Sequence, residues 1–390
     1  MPEDPPFDDT IDERCSVIVT LRQFLGGSIR RCAALAVSIL MVTTHHPIAA
    51  TVSADGKPAA SLNGPFLLLI PSANAPNDTL AVASPGQHQS VLLRTLPAET
   101  TLAPSPHGRY IALGEGIRGL WLVDSDGTHL RRRLLAPVDV PPRSSGQGGA
   151  RPAASGLPSP DGTSARLNTS RLAVGAVAWS PDRYTLAYTL QTSAQAAGGD
   201  DPHIGIWLVR YDQGRSRELI AAQHFNPASG FGGLSWSHDG RTVLTTIAGR
   251  LVAIDAATGH VHVLPLPTRQ GQTITASAFS PVAATLFYLV DNGLGSHPAY
   301  TLFVTDAQGC RARALVNVDN IIESPVWAPD GQSIAYVWQR LRDVGPQGSA
   351  SNGEVHVVAL ASGRVQTILL PPLTIGVYGR PIIAWLHIRE

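Results

Sequence analysis

The chain carries no net charge: 29 Lys and Arg are balanced by 29 Asp and Glu. No long-range field therefore draws it to nucleic acid or to an anionic membrane, and no basic cluster with interleaved aromatics takes that role. Nucleic acid is excluded as an expected partner. Cysteine is scarce too, with only Cys15, Cys32 and Cys310. The first two fall in an N-terminal lead, so the rest of the chain is expected to hold one structural thiol and no intrachain disulfide, and to rely on the size of its core. Cys310 has no nearby His or second Cys at catalytic or metal-binding spacing. Long apolar runs are also missing: Cys32 to Val42 is eleven residues, whereas a membrane-spanning helix needs about 20.

That short run belongs to RRCAALAVSILMVTTHHPIAATVSA, residues 30–54, where two arginines precede it and small residues follow. The arrangement reads as a secretory signal, with cleavage expected after Ala50 or Ala54 and an uncleaved anchor as the alternative. The acidic opening MPEDPPFDDTIDER departs from the usual basic start, and Arg30-Arg31 is a weak match to twin-arginine export. Residues 1–54 are thus a lead and residues 60–390 an exported domain, expected as a monomer that touches membrane only through a retained anchor.

What the domain does contain is a rewritten phrase. VWAPDGQSIAYVW (326–338) joins a Trp, a Pro-Asp-Gly corner and an apolar run. Pro329 presets φ, Asp330 suits the next position and Gly331 accepts the last, the pattern of a tight turn between strands. The phrase recurs as LAPSPHGRYIAL (102–113), VAWSPDRYTLAY (177–188), LSWSHDGRTVLT (234–245) and SAFSPVAATLFY (276–287). A catalytic loop need occur once, so Asp330 is assigned to a turn. A second phrase, strand, Gly turn, strand, places turn glycines at Gly86, Gly127, Gly214, Gly259, Gly309 and Gly363, spaced by 41, 87, 45, 50 and 54 residues. Units of about 40–50 residues are the period of propellers and solenoids. The long gap holds VPPRSSGQGGARPAASGLPSPDGTSARLNTS (140–170), a Pro-, Gly- and Ser-rich insertion expected to be disordered.

Each unit holds four short runs joined by short turns, so neighbours must be antiparallel, because a parallel crossover needs about a dozen residues. No run after residue 55 keeps a helical period. The fold class is therefore all-β, a six-bladed β-propeller of four-stranded antiparallel blades. The first unit lacks an inner strand before FLLLIPS, and the chain ends on the aromatic-tipped GRPIIAWLHIRE. Residues 380–388 should supply that strand and close the ring. The aromatics Trp179, Trp236, Phe279 and Trp327 should end inner strands and pack between blades.

The corners WSPDR, WSHDG and WAPDG, each followed by an apolar strand, resemble the WD40-like repeat of the TolB-like family of exported six-bladed propellers, over roughly residues 60–388. The resemblance implies the fold, and through it a class that includes periplasmic protein-binding proteins. Related propellers serve as non-catalytic domains of prolyl oligopeptidase-like peptidases. SPVA (280–283) and SPHG (105–108) depart from the repeat pattern.

Catalytic residues are not expected. There is no Gly-x-Ser-x-Gly elbow, and nothing is left over to form a hydrolase domain. Some six-bladed propellers hold a metal in the channel, but the inner strands here carry only Glu323 and Arg380 as charges, against about six to eight oxygens for calcium or about four ligands for zinc. No metal and no cofactor is expected. His260 and His262, two ligands without a third, and the loop group Asp200, Asp201 and His203 read as solvated. The longer connections, 191–203, 291–299 and 339–353, emerge on the face where the chain enters the inner strands. Loops on a rigid scaffold are where binding concentrates. The candidate binding residues on that face are Phe225, Phe231, Asp319, Glu323, Tyr378 and Arg380. The functional expectation is a non-catalytic binder of a protein or peptide, with a channel-centred hydrolase or lyase as the alternative.

Overall fold

The chain divides into two units, Met1–Pro58 and Ala59–Glu390. The computed structural model describes residues 65–386 apart from 72–76, 87–88, 98–99, 117, 128, 136–171, 193–203, 222–232, 248, 270, 293–298, 319–320, 340–350 and 376–381. The insertion at 140–170 lies outside the described residues.

The described residues form six antiparallel sheets of four strands. Blade 1 contains β1 (Phe66–Pro71), β2 (Asn77–Ala83), β3 (Val91–Pro97) and the last strand, β24 (Ile382–Trp385). Blade 2 contains β4 (Thr101–Pro104), β5 (Tyr110–Gly114), β6 (Leu120–Asp124) and β7 (Leu130–Leu135). Blade 3 contains β8 (Leu172–Trp179), β9 (Thr185–Thr192), β10 (Gly205–Arg210) and β11 (Ser216–Ala221). Blade 4 contains β12 (Ser235–Trp236), β13 (Thr242–Ile247), β14 (Arg250–Asp255) and β15 (Val261–Val263). Blade 5 contains β16 (Thr273–Phe279), β17 (Thr285–Asp291), β18 (Tyr300–Asp306) and β19 (Arg313–Val318). Blade 6 contains β20 (Ile321–Trp327), β21 (Ser333–Gln339), β22 (Ser351–Ala359) and β23 (Val365–Ile375).

The second strands are almost uniformly apolar because both of their faces are buried. In β1, Phe66 and Leu68 point to one neighbour and Leu67 and Leu69 to the other, as the two-residue strand period requires. Six large apolar clusters result, each shared by two adjacent blades: 1 with 2, 2 with 3, 3 with 4, 4 with 5, 5 with 6, and 6 with 1. The core is thus a ring of seams.

The seam between blades 6 and 1 exists because the chain ends where it began. Strand β24 pairs with β1 in the register Phe66↔Trp385 to Leu69↔Ile382, and Leu386 N–H donates to the Pro65 carbonyl at 3.0 Å. Trp385 lies on Phe66 with ring centroids 4.2 Å apart. The C-terminal strand is therefore the inner strand of blade 1, as its aromatic tip indicated.

The repeated corners share one geometry. The residue after the inner-strand tip donates its N–H across the turn: Ser105 to Tyr110, Ser180 to Thr185, Ser237 to Thr242, Ser280 to Thr285 and Ala328 to Ser333, at 2.8–2.9 Å. Gly108, Gly240 and Gly331 take the last turn position at φ 63°, 69° and 67°. Asp330 is a turn residue, its Oδ1 accepting from Gln332 N–H. The SPHG corner keeps both the bond across the turn and the glycine at positive φ. SPVA keeps the bond across the turn but has no residue at positive φ.

Candidate functional site

The inner strands β4, β8, β12, β16, β20 and β24 surround a central cavity of about 750 Å³. Their C-terminal tips lie at one height, and hydrogen bonds show it. The Trp179 indole donates to the Ala103 carbonyl at 2.9 Å, Trp236 to Ala178 at 3.2 Å, and Trp327 to Ala278 at 2.9 Å. In each case the acceptor is the residue just before the tip of the preceding blade. Phe279 has no indole; its backbone N–H donates instead to Ser235 Oγ at 3.0 Å. These aromatics therefore pack between blades. At the closing seam the Trp385 Nε1 is buried with no hydrogen-bond partner among the described residues. A buried unsatisfied donor of this kind costs about 1–3 kcal/mol.

The cavity walls are chiefly apolar: Leu102, Ala178, Leu234, Ala278, Val326 and Ile383 among others. Ser and Thr groups, Thr101, Ser235, Thr275 and Ser277, interrupt them. Among the described residues, three side chains with ionisable groups line it. Glu323 is half-buried on β20, near the end where the chain enters that strand, beside Ser324 at φ 47° and a register shift between Glu323 and Val326. Arg183 and His238 stand at the other end, among the corner prolines Pro106, Pro181, Pro281 and Pro329.

Of the residues expected to bind, Glu323 is the one the structure places, on the cavity wall. Phe225, Phe231, Asp319, Tyr378 and Arg380 lie outside the described residues, so their meeting at the channel mouth remains an expectation. Asp200, Asp201 and His203 lie outside as well. His260 and His262 are exposed, His260 in the turn before β15 and His262 opposite Ala253. Among the described residues no three His, Cys, Asp or Glu are placed to share a metal ion. No helix of the described residues is long and apolar enough to cross a membrane. Cys310 corrects the sequence reading. It is disulfide-bonded, not a lone thiol.

Arg183 escaped the sequence reading altogether. It takes the last position of its corner at φ 73°, where the corners of blades 2, 4 and 6 place glycine. For a residue with a Cβ this conformation costs about 1–2 kcal/mol. Its turn is otherwise well made. Arg183 N–H donates to the Ser180 carbonyl at 3.0 Å. Asp182 Oδ1 accepts from Tyr184 and Thr185 N–H, both at 2.9 Å, and Oδ2 accepts from the Thr185 hydroxyl at 2.6 Å. Burial alone would raise the Asp182 pKa, but these bonds outweigh it and hold the carboxyl below its usual range.

The same face carries a ring array between blades 2 and 3. Tyr184 stacks on Tyr211 with centroids 6.0 Å apart and planes at 14°. Tyr211 meets Tyr110 and Trp179 edge-on at 6.0 and 5.7 Å. Arg109 and Arg210 sit over the Tyr110 and Tyr184 rings, at 5.1 and 5.5 Å. Arg210 also makes a two-point pair with Asp212, at 3.2 and 3.0 Å, which lowers the Asp212 pKa. Aligning the five corners residue by residue would have exposed this site. Where Tyr211 N–H bonds the Tyr184 carbonyl, the other blades pair Ser125 with Arg109, Ala256 with Arg241, Ala307 with Ala284 and Leu360 with Gln332.

Comparison with known proteins bears on the fold. No family model matches the chain. A curated relative, the Tol-Pal system protein TolB of Aromatoleum aromaticum, is 37% identical over 82 residues, which is 21% of this chain and 18% of that protein. Among solved structures, TolB from Acinetobacter baumannii aligns with a TM-score of 0.55 and 16% identity, over 84% of this chain and 67% of that one. A TolB-like protein from Agrobacterium tumefaciens aligns at 0.50 and 12% identity, over 84% and 99%. With six four-stranded blades closed by its own last strand, the chain is, in fold, a TolB-like six-bladed β-propeller.

Proposed function

We infer that this protein is an exported, non-catalytic propeller that binds a protein or peptide through its loop-bearing face. One observation carries the reading. The connections from β9 to β10, β17 to β18 and β21 to β22 span Thr192 to Gly205, Asp291 to Tyr300 and Gln339 to Ser351, and they leave the ring at the end where the inner strands begin. A rigid ring with unequal loops on one face suits recognition of another macromolecule. The partial sequence likeness to a Tol-Pal system protein points the same way. On this reading Phe225, Phe231, Asp319, Tyr378 and Arg380 surround the channel mouth beside Glu323, the aromatics as anchors and the polar groups as orienting contacts. The protein acts as a monomer in the cell envelope or outside it.

The test is capture of partners from envelope extract by the mature domain, followed by titration of the captured protein against variants. Arg380→Ala and Tyr378→Ala should each weaken that titration while leaving the melting curve in place. Full affinity in both variants refutes the choice of face. Chelator-sensitive turnover of a small molecule by the purified domain would refute the non-catalytic reading.

A further inference from the structure

We propose a second binding site on the opposite face, at the corners of blades 2 and 3, for a peptide segment that presents a carboxylate. Three observations carry it. In a repeat fold, residues that keep the ring together recur from blade to blade, so a departure from the repeat at an exposed position has another cause. Blade 3 departs at two exposed positions and one half-buried position in one region: Arg183 takes the positive-φ place that glycine takes in blades 2, 4 and 6, and Tyr184 and the half-buried Tyr211 replace the pairs Arg241 and Ala256, Ala284 and Ala307, and Gln332 and Leu360 of blades 4, 5 and 6. Tyr184 is 46% exposed, and its ring closes no seam.

The second observation is strain. Arg183 keeps a side chain at φ 73° although glycine would satisfy the turn, and that side chain lines the mouth of the central cavity. Strain held at a cavity mouth is a signature of function when the residue is not needed for the fold.

The third is charge. The nearby carboxylates are already engaged: Asp182 by the backbone of its own turn, Asp239 by the Ser237 hydroxyl and Arg241 N–H, and Asp212 by Arg210. Among the described residues Arg183 and Arg109 make no salt bridge. An unmatched guanidinium at the mouth of an apolar-walled cavity, beside a tyrosine array, suits a carboxylate carried on an apolar or aromatic chain. The anion would meet Arg183 and the chain would cross Tyr184 and Tyr211. The site stands or falls independently of the loop-bearing face.

The experiment uses the full chain and fluorescein-labelled short peptides. Each combines apolar and aromatic residues with one Asp or Glu, is paired with its Asn or Gln counterpart, and is made with a free or an amidated C terminus. Fluorescence anisotropy should show saturable binding of the carboxylate peptides. Neutral counterparts and Arg183→Gly should bind about 10- to 100-fold more weakly, the effect of removing one charge-assisted contact. Arg183→Lys should recover part of the loss, and Tyr184→Ala should weaken binding without moving the melting temperature. Arg183→Gly should melt at the same temperature or higher, because glycine suits the turn. The free and amidated series then distinguish a side-chain carboxylate from a terminal one. The proposal is overturned by equal binding of neutral and acidic peptides, by unchanged affinity in Arg183→Gly, by no saturable binding of any acidic peptide, or by a lower melting temperature in Arg183→Gly, which would make the residue structural. Arg380→Ala, which the proposed function assigns to the other face, should leave this binding intact.

Discussion

Replacing each tip tryptophan by phenylalanine separates the packing of the blade seams from their hydrogen bonds. In Trp179→Phe, Trp236→Phe and Trp327→Phe the ring shrinks and the indole donor to Ala103, Ala178 or Ala278 disappears. In Trp385→Phe the ring shrinks equally, but the lost N–H had no acceptor. Trp385 is 3% exposed, so the packing loss should resemble that of the other three, which are 6–7% exposed. Shrinking a buried aromatic costs about 1 kcal/mol through lost area, at roughly 25 cal/mol per Å². Leaving the acceptor carbonyl without its donor adds about 1–3 kcal/mol where it is buried, as at Ala178, and falls toward the lower end at the half-buried Ala103 and Ala278. The three hydrogen-bonded positions should therefore lose about 2–4 kcal/mol and Trp385 about 1 kcal/mol or less, since phenylalanine also removes an unsatisfied donor. Phe279 already occupies this slot in blade 5, so the smaller ring is compatible with the ring geometry. Urea unfolding with unchanged slope would report the differences as midpoint shifts. A Trp385→Phe midpoint that falls as far as the others would refute the reasoning, showing that its N–H is bonded in solution. Equal small shifts at all four positions would refute the weight given to the inter-blade bonds.

Deleting residues 379–390 should abolish the cooperative transition, because it removes Ile383, Ala384 and Trp385 from two seams and opens the β1 edge; a normal melting curve would contradict closure by β24. Acid should weaken the corners. Hydrogen bonds from the Thr185 hydroxyl and nearby N–H groups lower the Asp182 pKa against the effect of burial, and the Ser237 hydroxyl and Arg241 N–H lower that of Asp239. A folded pKa below the unfolded one gives stability that is present above the unfolded value near 3.8 and is lost as pH falls through the folded value. Melting temperature should therefore drop on acidification below about pH 4, and Asp182→Asn should flatten that limb; an unchanged limb would mean the turn does not discriminate the ionised form.

The architecture was legible because it is written in local chemistry. Tight turns need Pro, Asp and Gly at fixed offsets, and strands buried on both faces need unbroken apolar runs such as FLLLI, so each blade announces itself within its own residues. Even ring closure could be read, since the first unit lacked an inner strand that the last residues could supply. The site was less legible because it depends on contacts between units. Nothing local says that the carbonyl before one tip receives the indole of the next, or that Trp385 alone among the four tip tryptophans lacks an acceptor. Register shifts in β8, β16 and β20 follow from how each inner strand fits its neighbour and leave no mark in the period of apolar residues. Tyr110, Tyr184 and Tyr211 are far apart in sequence and form one array only because blades 2 and 3 meet there. Arg183 reads as one more turn residue until the tertiary structure sets it at the mouth of the cavity, in a conformation that the corners of blades 2, 4 and 6 leave to glycine. Local interactions specified the blade, whereas the side chains that face a common cavity were decided by the closing of the ring.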